Sequence, residues 1–191
     1  YNRLFIEMLE KLEGSAENLT AGVRGFLAES EAESSRWPRD PEFRQAWMDS
    51  PLFRTLRRER VRMLLEALER QLYTELTEGI VIKGGLTIEH LLPQEWRPYW
   101  PLPTDVPAEN AELRRERLLH TIGNLTLLTK KLNPKVSNGP WSEKRPVILR
   151  HSALTLNRKL QDCPEWGEEA ILRRSEALFE VAKQVWPFTQ N

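Results

Sequence analysis

The chain has 191 residues, with 28 Lys and Arg balanced by 28 Asp and Glu, and one cysteine. That length can bury a sizeable core without a disulfide or metal staple, and the lone Cys163 excludes both an intramolecular disulfide and any CxxC zinc site. No apolar run approaches the roughly 20 residues that cross a bilayer, and the opening YNRLFIEMLEKLEG has neither an initiator Met nor a signal-peptide layout, so the expectation is a cytoplasmic piece of a longer protein with no membrane partner.

Leu4, Phe5, Met8, Leu9 and Leu12 follow the spacing of one apolar helical stripe, as do Val61, Leu64, Leu65, Leu68, Leu72 and Leu76; both stripes are expected to face a core. Between them, RWPRDPEF reads as a turn into a short helix, with Asp40 as N-cap and Pro41 at the first helical position. Trp37 and Trp47 read as packing anchors. Residues 1–78 thus form an N-terminal helical part.

From Gly79 the helical period is lost. GIVIKGGLTIEHLLP has the β-branched residues and Gly-Gly pair of short strands joined by a tight turn. A Pro-rich loop, RPYWPLPTDVP, leads to a charged helix from Ala108 to His120, and IGNLTLLT suits a second strand. KKLNPK begins a helix with Pro134 in its first turn and Asn133 at its start. Ala170, Ile171, Arg174, Ala177, Leu178, Val181, Ala182 and Val185 form an amphipathic helix that ends before Pro187. The expected fold is mainly α, with helices packed around a short β-hairpin; residues 79–160 form a strand, strand, helix core and 161–191 a C-terminal helix packed on it. No GxxxxGK[ST] loop is present, so this stretch carries no P-loop nucleotide site.

Charge is unevenly placed. Residues 111–150 carry nine Lys or Arg against Glu112, Glu116 and Glu143, whereas residues 1–35 carry seven Glu against Arg3, Lys11 and Arg24. The basic stretch suits either a solvated helix face or a surface that meets phosphate. Within it and just before it lie residues with chemical capacity. His90 can take a proton from water near neutral pH. Glu89 offers an anionic oxygen and Asn133 a neutral amide oxygen, the hard ligands that Mg²⁺ or Mn²⁺ prefers. Asn124, just before the second strand, could hold the imidazole by a hydrogen bond. Neighbours in a regular strand point to opposite faces, so Glu89 and His90 can share a site only where the strand ends or bulges. Each of the four also has an ordinary structural reading as surface carboxylate, satisfied histidine, turn former or cap.

Taken in order, Glu89-His90 with Pro93, then Asn124 opening GNLTLL, then Asn133 nine residues later, resemble the HNH (ββα-metal, His-Me finger) nuclease signature. TIEHLLPQ, IGNLTLLTKKLN, SNGPWSEK and the late helix between Trp166 and Trp186 are more narrowly similar to the C-terminal nuclease domain of GmrSD/SspE-type modification-dependent restriction and phosphorothioate-linked phage-defence proteins. The resemblance implies an HNH-type DNA endonuclease, a nickase acting on double-stranded DNA. In it His90 is the general base, Asn124 orients it, Glu89 and Asn133 hold one Mg²⁺ or Mn²⁺, and an N-terminal nucleotide-hydrolysing, modification-sensing domain of the same protein is the partner. It also implies that Lys144 contacts a DNA phosphate, with Lys130, Lys131, Lys135, Arg145 and Arg150 as further contacts.

Three positions depart from the pattern. Glu89 replaces the more widespread Asp, so it could bind metal through water. Thr129 and Leu132 stand where many HNH proteins carry zinc-binding Cys pairs, so no structural zinc is expected. Lys135 follows Asn133 by two residues where a lysine at three is usual. The alternative reading is a catalytically decayed DNA-binding or inter-domain interaction module.

Overall fold

The structure is a computed structural model that describes residues 2–12, 18–30, 32, 35–74 and 85–188. The chain divides into two compact units, Tyr1–Phe43 with Trp186–Asn191, and Arg44–Val185. In the first, α1 (Asn2–Leu12) packs on α2 (Leu19–Glu29), whose start is capped by the Asn18 side chain accepting from the Ala21 amide. Only part of the expected stripe of α1 is covered: Leu4, Met8 and Leu12 are half-buried, while Phe5 and Leu9 are 53% and 64% exposed. One short helical neighbour covers a narrow seam, so the expectation of a fully core-facing stripe is corrected.

The helix predicted from Asp40 is α3 (Asp40–Asp49), and its Trp47 is buried, with Nε1 donating to Ser175 O at 3.0 Å. A single turn, α4 (Leu52–Thr55), leads to α5 (Arg58–Gln71), which buries Val61, Leu65 and Leu68 as its periodicity predicts. Leu76 and the first part of the expected strand-and-turn stretch, residues 79–84, lie outside the described residues.

The sheet consists of β1 (Leu86–His90) and β2 (Leu125–Thr129), antiparallel, in register from Leu86 opposite Thr129 to His90 opposite Leu125. The strands are joined by the long connection 91–124, which includes α6 (Ala108–Leu119) and a 3-10 turn, Ile122–Asn124. Leu125 to Leu128 are all buried, so β2 is covered on both faces. After it come α7 (Asn133–Val136), α8 (Trp141–His151), α9 (Thr155–Arg158), a 3-10 turn (Lys159–Asp162) and α10 (Glu168–Val185). Among the described residues the architecture is mainly α with one small two-stranded sheet. No helix among the described residues is long and apolar enough to cross a membrane.

Several buried polar groups fix the helices around this sheet. Both Glu69 carboxylate oxygens, on α5, accept from the Thr155 and Leu156 amides at 2.8 Å and so close the open N-terminus of α9. Asn157 accepts from Thr126 Oγ1 and donates to Leu127 O, tying α9 to β2. Arg115 on α6 pairs with Glu168 on α10 at 2.6 Å and donates to the carbonyls of Trp100 and Pro101, which pins the Pro-rich loop. Gly123 lies so close to α10 that a Cβ there would meet Ile171 O at 2.3 Å. Trp96, Trp100 and Trp141 are buried in the core and do not present faces for base stacking.

Candidate active site

His90 is the last residue of β1, where the strand's alternation ceases, and its side chain is buried. Its Nε2 lies 3.2 Å from Nδ1 of His120, the residue that ends α6. The two rings meet nearly at right angles, 5.3 Å between centroids. Phe53, from α4, completes the cluster: its ring meets His90 edge-on at 4.3 Å and lies parallel to His120 at 5.8 Å. The Phe53 amide also donates to His120 O. Two distant pieces of chain, α4 and the end of α6, therefore hold one imidazole. Burial, then the neighbouring His120, Lys144 and Arg58, pushes the His90 pKa down to about 3. Desolvation disfavours the charged ring, so His90 is neutral across the physiological range. Burial likewise lowers the pKa of His120.

Asn124 makes no hydrogen bond to the His90 imidazole, which corrects the expectation of a direct bond. Its Oδ1 accepts from the Leu92 amide at 2.8 Å and from Trp166 Nε1 at 3.1 Å, and its Nδ2 donates to Leu92 O and Leu119 O. Its carbonyl also accepts from the Leu91 amide. The amide thus joins the chain just after His90 to the chain just before His120. It sets the spacing of the two rings through the backbone.

Glu89 points to a different partner. Its Oε1 accepts from Lys144 Nζ at 2.7 Å, and the same ammonium donates to His90 O and Ser137 O, each at 2.7 Å. Lys144 is 1% exposed, so the expectation of a DNA-phosphate contact there is corrected: the amine is an internal counter-ion, with all three donors used. Burial raises the Glu89 pKa and lowers that of Lys144, and in each case the partner's charge opposes the shift. Ser137, at φ 27°, turns the chain after α7 so that its carbonyl can reach the ammonium.

Asn133 begins α7 and packs back on β1, its Nδ2 donating to Thr87 Oγ1 at 3.0 Å and to Ile88 O at 3.1 Å. Oδ1 of Asn133 and Oε2 of Glu89 accept no hydrogen bond from the described residues. These are hard oxygens of the kind that bind Mg²⁺ or Mn²⁺, which keeps several waters and completes its shell with substrate phosphate. Among the described residues, no group of three or more His, Cys, Asp or Glu could form an all-protein cage. Lys130, Lys131, Lys135 and Arg150 are exposed, whereas Arg145 donates to the carbonyls of Leu160 and Gln161 and serves the fold.

The model for the C-terminal domain of GmrSD restriction endonucleases matches residues 37–181, well over half of the chain and all of the site above. The chain belongs to the GmrSD C-terminal domain family. A restriction endonuclease domain acts on DNA, so phosphodiester hydrolysis is the chemistry for which the site must account. Comparison with curated proteins gives no match.

Sequence reasoning named Glu89, His90, Asn124 and Asn133 as candidates and set His120 at the rim of the site, without its bond to His90, and it gave Phe53 no part in this GmrSD-family domain. His120 had one usable signal, its place four residues before Asn124. Phe53 had none, because its contact depends on a long-range packing of α4 against the end of α6.

Proposed function

We propose that the domain is a metal-dependent HNH-type endonuclease that nicks double-stranded DNA, as the effector of a modification-sensing phage-restriction protein. The observation that carries this reading is a histidine at a strand end, its Nε2 3.2 Å from a second histidine, in a chain of a restriction-endonuclease family. In the tautomer that makes His90 a base, its Nε2–H donates to His120 Nδ1 and its Nδ1 lone pair accepts the proton of the attacking water. The water oxygen forms the new bond to phosphorus as the bond to the 3′ oxygen breaks in line. The 3′ oxygen leaves and takes a proton from solvent, His90 returns its proton to solvent, and the product carries a 5′ phosphate. Glu89 and Asn133 are the residues that would hold a divalent cation. Such a cation supplies positive charge to the phosphoryl oxygens and the leaving oxygen. Asn124 and His120 are positioning residues, the first through the backbone and the second through the ring.

A second reading, a DNA-binding or inter-domain module without turnover, is favoured by the ammonium of Lys144 on Glu89 and by the low exposure of His90. Supercoiled plasmid incubated with Mg²⁺ or Mn²⁺ separates the two. The wild type should give nicked circles, and His90→Ala should lower the rate by about 10²–10⁴, the usual worth of a general base. Asn133→Ala should weaken metal dependence. Equal nicking by all three proteins would overturn the nuclease reading and leave the module.

A further inference from the structure

We infer that the cleft between α5 and β1 binds the DNA backbone on the flank of the scissile phosphate, through Arg58, Arg62 and Lys130; this deepens the nuclease reading and rests on it. The cleft measures about 330 Å³ and is lined by Phe53, Arg58, Glu59, Arg62, Thr87 and Lys130, among others. At about 30 Å³ per water it would hold roughly ten solvent molecules, enough for a phosphate and part of its shell. Three cations face one carboxylate in it. The α5 side belongs to RTLRRERVR, residues 54–62, where five exposed arginines surround Glu59.

None of the three cations is committed to a strong internal partner. Arg62 reaches Glu66 at 3.4 Å, with both side chains open to solvent, a geometry worth little. Lys130 makes no ion pair among the described residues, and its stem passes over Gly85, where a Cβ would lie 3.1 Å from its Cε. Arg58 donates to Phe53 O and its Cζ lies over the Phe53 ring, 3.3 Å from the centroid, which leaves further N–H groups for an anion. The cleft also adjoins the residues proposed for chemistry. Phe53 in its wall touches His90, and Thr87 and Ile88 on its floor accept from Asn133. One DNA strand carries a phosphate about every 3.4 Å of axis. A strand that brings one phosphate to His90 must lay its neighbours over the adjoining surface, and here that surface is cationic.

The test measures binding of the 191-residue chain to a short fluorescein-labelled duplex in EDTA, by anisotropy, as KCl is raised from about 50 to about 200 mM. Arg62→Gln with Lys130→Gln should reduce the slope of log K against log salt by about 1.8, so that the wild type loses roughly 12-fold more affinity over that range than the variant. Lys159→Gln with Arg173→Gln, an equal charge change beside α10, should leave the slope unchanged, and Arg62→Lys with Lys130→Arg should restore it. Lys130→Gln alone should lower it by about 0.9, which keeps the test decisive should the double variant melt early. An unchanged slope in the first pair, or an equal fall in the control pair, overturns the cleft assignment while the plasmid assay still stands. A wild type that does not bind duplex at all overturns both readings.

Discussion

Replacing Lys144 by methionine distinguishes an internal counter-ion from a surface phosphate contact. The substitution keeps much of the apolar stem but removes three hydrogen bonds of 2.7 Å and the charge opposite Glu89. The Lys144 side chain is 0% exposed and that of Glu89 10%, so the carboxylate left behind is buried and unpaired. Removing one partner of such a pair costs about 3–5 kcal/mol. At this chain length each kcal/mol moves the melting temperature by about 2–4 °C, so a fall of roughly 6–20 °C is expected. Glu89→Gln in the same chain removes the stranded charge, and the double variant should recover on the order of 1–3 kcal/mol relative to additivity. Urea denaturation of the wild type, both single variants and the double variant near neutral pH gives the coupling energy directly. A loss below about 1 kcal/mol for Lys144→Met, the size of an exposed ion pair, or a coupling near zero, refutes the internal role.

Gly123→Ala should destabilise by about 1–3 kcal/mol through overpacking, because its Cβ would meet Ser175 Oγ at 2.2 Å and Ile171 O at 2.3 Å; an unchanged melting temperature would contradict the close seating of α10 on the 122–124 turn. Acid should weaken the fold through His90. Its folded pKa, about 3, lies below the ordinary 6.5, so the unfolded chain takes up a proton that the native ring refuses. The penalty is absent above pH 6.5, grows as pH falls by up to about 1.4 kcal/mol per unit, and levels off near pH 3. His90→Gln should lack this component, so between pH 6.5 and about 5 the wild type should lose roughly 2 kcal/mol more than the variant in urea titrations. Parallel pH profiles would show that the ring titrates normally.

The helices legible in the chain were those with a long apolar period. Val61, Leu65 and Leu68 declared α5, and the stripe from Ala170 to Val185 declared α10, because a repeat near 3.6 over several turns has no other good reading. β2 was legible from alternating Thr and Leu, although burial on both faces shows that the alternation does not mark an exposed side. In the site, residue identities carried further than roles. Glu89, His90, Asn124 and Asn133 could be named from the family resemblance, but the resemblance says nothing about which group neutralises which. Lys144 illustrates the reason. A lysine in a basic stretch reads as solvated, and its burial follows from α8 returning over β1, a tertiary event with no local mark. The RTLRRERVR run was not singled out as a charged surface, and its nearness to the histidines depends on α5 folding beside β1.

Asn124 clamps main chain on both sides of the histidine pair, so the geometry of those rings is settled when the domain folds, before any nucleic acid arrives. Under the nuclease reading proposed above, a centre built in this way needs no ordering of its rings on encounter. Restraint would then fall to the doorway, by deciding which duplex is admitted and for how long.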